Sequence, residues 1–326
     1  MMRRLIEELP AQLRWAATTP VPTVPTAAEG LVIGMGGSGF AGDVAAVFAE
    51  AQGARVAVHK GYGLPGWAAG SGATVVAVSH SGNTEETLAG LEAARAAGLV
   101  VAAVSTGGAL ADMAREMSLP FLAVPPGPQP RAAAGFLAGA VLRLLEASGV
   151  VTGTAAALLE AADVVESLLR GEASRAAEGV AASLRGRIGI VYGSGPVTAA
   201  AAGRWKAQLN ENGKVPAWWS VLPELDHNEI VGWTAHPEIG RDAVGIVFLH
   251  DEGEDPRVHR RAALTEELMV GVHVAGRVSS RGAGTLARLF SLVVVGDLVS
   301  VLVAEQAGVD PVPVAVIERL KKALAE

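Results

Sequence analysis

Between the apolar run "ATVVAV" and an acid-rich helical stretch lies "SHSGNTEETL", residues 79–88. Ser79, Ser81 and Thr84 set three hydroxyls around a Gly-Asn turn, where a strand should end and a helix begin. The unpaired N–H groups and positive dipole end of a helix N-terminus favour an anion. A second stretch, "GMGGSG" at 34–39, has glycines that let backbone approach a ligand closely, and Ser38 adds a hydroxyl. Gly37, Ser38, Ser79, His80, Ser81 and Thr84 together read as a phosphate cradle that needs no lysine. Two other readings stay open. Ser79–Thr84 can be a plain helix cap with a turn. Gly34, Gly36 and Gly39 also satisfy the dinucleotide pattern G-x-G-x-x-G, although the next strand ends in "HKGYG", without an acid for a ribose.

The elements that must hold these loops are short β-branched runs alternating with helical stretches. "GLVIGMG", "ARVAVHK", "ATVVAV", "LVVAAVS" and "LPFLAVP" read as strands; "FAGDVAAVFAEAQG", "TEETLAGLEAARAAG", "ALADMAREM" and "RAAAGFLAGAVLRLLEASG" read as helices. Such alternation implies a parallel sheet covered on both faces. "LVIGMGGSGFAGDVAA" and "IGIVYGSGPVTAAAAG" both run from an apolar strand through Gly-Ser-Gly into a small-residue helix. This weak duplication predicts an α/β protein of two similar doubly wound lobes. The expected divisions are a helix and proline-spaced connector over 1–26, a first lobe over 27–150, a helical linker over 151–183 and a second lobe over 184–326.

Composition narrows the function. With a formal charge of −7 and no block of Lys or Arg, neither nucleic acid nor an anionic membrane is expected as partner. The absence of Cys excludes disulfides, thiolate metal sites and cysteine catalysis, and is compatible with a reducing cytoplasm. The seven histidines show no pair at ligand spacing with a carboxylate, so no metal and no cofactor is expected. "HDEGEDPRVHRR" (250–261) reads as a charged surface loop. "MMRRLIEELPAQLRW" lacks the apolar core of a signal peptide. The apolar segment 290–308 is interrupted by Asp297 and reads as a helix buried in a core or a subunit interface. A soluble, cytoplasmic protein is expected.

Ser-x-Ser-Gly-x-Thr at a strand end resembles the signature of sugar isomerase (SIS) domains. With "GMGGSGFAGD", "PRAAAG", "WKAQLNENGKVPAWWSVLPELDHNEIVGW" and "VIERLKKAL", the chain is similar to the bifunctional phosphoglucose/phosphomannose isomerase family from about residue 30 onward. The resemblance implies two SIS-type, flavodoxin-like αβα lobes, and an aldose–ketose isomerase acting on fructose 6-phosphate with glucose 6-phosphate, mannose 6-phosphate or both. It implies no cofactor and a homodimer with shared active sites. By the same resemblance Glu211 is the base that moves a proton between C2 and C1. His227 opens the sugar ring from the neighbouring subunit. Arg131 faces the developing enediolate oxygen, and Lys321, with Lys322 one position away, assists at the ring oxygen.

Three positions depart from the family. His80 stands where an aromatic residue is common, and is expected to titrate near neutral pH and strengthen phosphate binding when protonated. Asp226 replaces a frequent Asn, expected only to cap a turn. Val312 replaces a frequent Thr, which bears on epimer preference. The contrasting function is a non-catalytic phosphosugar sensor, which would not need a base.

Overall fold

The computed structural model describes residues 1–127 and 129–324. The chain divides into an N-terminal unit, 7–169 with 281–291, and a C-terminal unit, 170–280 and 292–326 with 1–6. The first helix, α1 (Met2–Glu7), is followed by α2 (Leu9–Thr18), β1 (Glu29–Ile33), α3 (Gly36–Glu50), β2 (Arg55–His59), β3 (Thr74–Val78), α4 (Glu85–Ala96), β4 (Val100–Ser105), α5 (Gly108–Glu116) and β5 (Phe121–Ala123). A 3₁₀ turn, Pro130–Ala132, then leads into α6 (Ala134–Ala147) and α7 (Thr154–Leu169).

The N-terminal sheet is wholly parallel, in the order β2-β1-β3-β4-β5. Its central strand β3 is buried at every residue, as expected for a strand covered on both faces. Ile33, Val75, Ala77, Val101 and Ala103 form one face and pack with Leu91 and Ala94 of α4 and Leu110 and Ala114 of α5. On the other face, Gly42 of α3 lies against Val32 and Val58, so closely that a Cβ there would stand 2.7 Å from Val58 Cγ1.

The C-terminal unit continues with α8 (Glu172–Ser183), β6 (Ile188–Gly193), α9 (Pro196–Glu211), β7 (Ala217–Val221), a 3₁₀ turn at Glu224–His227, α10 (Glu229–Ala235), α11 (Pro237–Asp242), β8 (Val244–His250), α12 (Pro256–Leu268), β9 (Val274–Ser279), α13 (Thr285–Ala307) and α14 (Ala315–Leu324). Its parallel sheet runs β7-β6-β8-β9, which is second-first-third-fourth, the same winding as the first four strands of the other sheet. The duplication read from the two Gly-Ser-Gly stretches is therefore a duplication of topology. In each sheet the strand order reverses beside its first strand, and ligands of doubly wound folds sit beyond the strand ends at that point.

Two segments were not read as elements in the sequence. "AWWSV" is an edge strand, β7, with Trp218 and Trp219 exposed; an edge strand half in solvent lacks the continuous apolar run that marks the others. The stretch read as a loop over 250–261 becomes helical from Pro256. Asp255 caps α12 by accepting from Arg257 N at 2.8 Å, and Pro256 opens its first turn. The expected N-terminal helix and helical linker contain α2 and α7, which lie in the N-terminal unit with Leu9, Leu13, Ala16, Leu158, Ala161 and Val165 buried.

Helix α13 is buried in the core, one of the two places the sequence reading allowed: it is long and apolar enough to cross a bilayer, and 89% of its most apolar stretch is buried inside this chain. It needs no partner surface. Asp297 is accommodated there by a two-pronged ion pair with the buried Arg204 of α9, at 3.0 and 2.6 Å. Trp205 Nε1 donates to Leu292 O at 2.9 Å, and Asn212 Nδ2 donates to Ser300 Oγ at 3.0 Å. Gly296 leaves room for the indole, since a Cβ there would lie 2.3 Å from Trp205 Nε1. A ladder of polar contacts thus fixes α9 along α13.

Candidate active site

The expected phosphate loops stand at the reversal point of the N-terminal sheet, after β1 and β3. Helix α3 starts earlier than the sequence suggested, at Gly36, so Gly37 and Ser38 belong to its first turn. Gly36 itself has φ +52°, a left-handed conformation that glycine adopts without strain. Ser38 Oγ accepts the His80 N–H at 3.1 Å and so joins the start of α3 to the 79–84 loop. Thr106 Oγ1 donates to His80 O at 2.8 Å, gripping the same residue from the other side.

Within that loop the hydroxyls divide their work. Ser79 is fully buried, and its Oγ lies 2.9 Å from Thr84 Oγ1, the residue preceding α4. Ser81 is exposed and accepts the Asn83 N–H at 3.3 Å. Gly82, at φ +72°, packs so tightly that a Cβ would stand 1.7 Å from Gly107 O. Ser79 and Thr84 therefore brace the loop, and Ser81 presents its hydroxyl outward.

Arg131 is buried in the 3₁₀ turn rather than opening α6, and its Nη1 donates to Gln129 Oε1 at 2.8 Å. The backbone of that turn presses on α3: a Cβ on Gly37 would come within 3.2 Å of Pro130 C and O. The N-terminal unit thus gathers Gly37, Ser38, Ser79, His80, Thr84 and Arg131 around two helix N-termini. Gln129 escaped the sequence reading, because nothing local marks a glutamine as the partner of an arginine two residues on. Lys60 escaped it too. Its Nζ pairs with Asp43 at 2.7 Å, and its stem lies against Gly39.

His80 behaves differently from the expectation. It is buried, and its Nε2 has no hydrogen-bond partner. Burial pushes its pKa below the ordinary imidazole value, so the ring is neutral at pH 7 rather than cationic.

The other candidates stand on three elements of the C-terminal unit. Glu211 is the last residue of α9. His227 ends the 3₁₀ turn after β7 and is exposed, held in place by its neighbours. Leu225 is fully buried, and Asp226 accepts from Thr265 Oγ1 at 2.8 Å and pairs with Arg261 at 3.1 Å. Asp226 therefore ties the turn to α12 instead of capping it. Just beyond, Tyr192 OH donates to Glu229 Oε2 at 2.9 Å and accepts from Trp233 Nε1 at 2.8 Å, anchoring α10. Lys321 and Lys322 lie in α14, which has no buried residue.

Residues 173–324 match the family model described as the bacterial phospho-glucose isomerase C-terminal SIS domain. The bifunctional phosphoglucose/phosphomannose isomerase of Aquifex aeolicus is 38% identical over 302 residues, covering 91% of this chain and 90% of that protein. The chain belongs to the bifunctional phosphoglucose/phosphomannose isomerase family. A second isomerase of this family, from Caldicellulosiruptor bescii, is 36% identical over 91% of this chain and 89% of its own length. Among solved structures, tagatose-6-phosphate ketose/aldose isomerase from Escherichia coli superposes with a TM-score of 0.70 at 14% identity, covering 95% of this chain and 94% of the other. That likeness shows a shared fold.

Proposed function

We propose that this protein interconverts fructose 6-phosphate with glucose 6-phosphate and mannose 6-phosphate by proton transfer through an enediolate, without a metal. The observation that carries the reading is the union of family membership with the braced pair of helix N-termini at 36–39 and 79–84. Two helix N-termini and an exposed Ser81 suit a phosphate dianion. His227 opens the sugar ring. The Glu211 carboxylate removes the C2 proton of the aldose as the C1 carbonyl oxygen becomes the enediolate oxygen, the C2 hydroxyl proton passes to that oxygen, and Glu211 returns its proton to C1 as the C2 carbonyl of the ketose forms. Arg131 offsets the charge that develops on oxygen, and Lys321 assists at the ring oxygen. A sensor of phosphosugars would have no use for such a base.

A cytoplasmic homodimer with shared active sites belongs to the same reading. Its support is the apolar residues that a single chain leaves exposed, Val316, Leu320 and Leu324 on α14 and Trp218 and Trp219 on β7.

Turnover of fructose 6-phosphate in the presence of excess chelator, with the two aldose products measured separately, tests the activity. Both products should form. Glu211→Gln should abolish turnover while phosphosugar binding stays near wild type; binding lost together with turnover would remove Glu211 from the role of base.

A further inference from the structure

Helix α9 ends at Glu211 and is followed by a turn of three residues, each with a defined task. Asn212 is buried and donates to Ser300 Oγ at 3.0 Å. Gly213 fits where a Cβ would stand 2.6 Å from Leu209 O. Lys214 then takes φ +57°, the left-handed region that a residue with a long side chain rarely occupies. That conformation returns its side chain to the end of the helix it has just left.

The Lys214 ammonium donates to Glu211 O, to Pro313 O at 2.6 Å and to Pro311 O at 3.3 Å. An ammonium has three N–H donors, and three carbonyls take them. One of those carbonyls belongs to Glu211. The other two lie in the short segment between α13 and α14, the helix that carries Lys321. A cation at a helix C-terminus also complements the negative end of its dipole. The α9–α13 ladder, which ends in the Asn212–Ser300 bond, fixes the helix against α13, and Lys214 adds the tie from the Glu211 carbonyl to the 311–313 segment.

We propose that Lys214 is a positioning residue for the reaction: it clamps the backbone of Glu211 to the 311–313 segment and so fixes the carboxylate against the substrate carbons. This rests on the reading of Glu211 as the base. Lys214 reaches substrate only through the groups it holds. Small misplacement of a base is costly, because proton transfer requires close approach and alignment.

The experiment compares Lys214→Met, Lys214→Arg and Glu211→Gln in the full chain, using glucose 6-phosphate with protium or deuterium at C2. Lys214→Met should lower kcat by about tenfold or more with KM little changed, and should raise the isotope effect on kcat. Lys214→Arg, which can still donate to the carbonyls, should recover most of the rate. A merely structural role would reduce the folded fraction and leave the isotope effect unaltered. Wild-type kcat in Lys214→Met, or a lower kcat with unchanged isotope effect, would overturn the proposal while an inactive Glu211→Gln keeps the base in place. Turnover retained by Glu211→Gln would overturn both readings together.

Discussion

Two places in this protein have the same short pattern, Gly-Ser-Gly where the chain passes from a strand into a helix, and come to different ends. In the N-terminal unit, Ser38 turns its oxygen to the His80 N–H, and the loop stays open beside a second helix N-terminus. In the C-terminal unit the chain fills the corresponding place with a carboxylate of its own. Ser194 Oγ donates to Glu254 Oε2 at 2.7 Å, Thr198 Oγ1 donates to Glu254 Oε1 at 2.9 Å, and Thr198 Oγ1 also accepts the Ser194 N–H at 2.7 Å. Glu254 follows β8, the strand beside β6 where the order of that sheet reverses. The same local pattern thus borders the phosphate site we propose in one unit and is spent on internal structure in the other. What separates them is a residue about sixty positions away.

The largest expected effect comes from closing the open loop's tightest point. Gly82→Ala would drive a Cβ into Gly107 O at a positive φ, and should cost about 3 kcal/mol or more in urea unfolding. An unchanged midpoint would mean that the loop is not braced as described. Next, Glu254→Ala leaves the Ser194 and Thr198 hydroxyls without their acceptor and should destabilise by about 2 kcal/mol, with KM for fructose 6-phosphate unchanged in the folded fraction. A raised KM would erase the contrast and make the second loop a substrate site.

Ser81→Ala should do the opposite. Its hydroxyl is exposed, so stability should move by at most about 0.5 kcal/mol, while KM should rise about tenfold through the loss of one bond to a charged phosphate. A fall in kcat with constant KM would remove Ser81 from the phosphate site.

The smallest effects concern pH, and the two loops should differ in sign. Burial lowers the His80 pKa from 6.5, so His80 contributes stability that is present above pH 6.5 and lost as pH falls through its depressed value. His80→Phe should flatten that acid-side loss. Burial raises the Glu254 pKa from 4.5 despite the hydroxyls that favour its ionised form. Its contribution is present below pH 4.5 and lost as pH rises through the raised value. Glu254→Gln should remove that loss. Unfolding midpoints of the three proteins between pH 4 and pH 8 would reveal both slopes, and slopes of the same sign would refute the contrast.

Much of the fold was readable because a parallel strand buried on both faces is a local composition. Val75, Val76 and Ala77 announce β3 without knowledge of anything else in the chain. Gly36, at φ +52°, is local in the same way, whereas Gly82 is demanded by Gly107, which only folding brings against it. β7 and α12 were not readable on those terms, because Trp218, Trp219 and the charged residues after Pro256 follow solvent exposure rather than an apolar period. His80 shows the limit for chemistry: its residue type suggested a cation, and its burial made it neutral.

The sequence by itself determined the alternation of strands and helices, the two Gly-Ser-Gly loops and the resemblance that pointed to Glu211, His227, Arg131 and Lys321. Those are properties of neighbours along the chain. Tertiary structure alone decided that Asp297 meets Arg204, that Glu254 fills the second loop, that Gln129 and the start of α3 surround Arg131, and that Lys214 closes on the 311–313 segment. Each of these joins groups through space, and a charge or hydroxyl acquires its role from the partner that folding brings within hydrogen-bond reach.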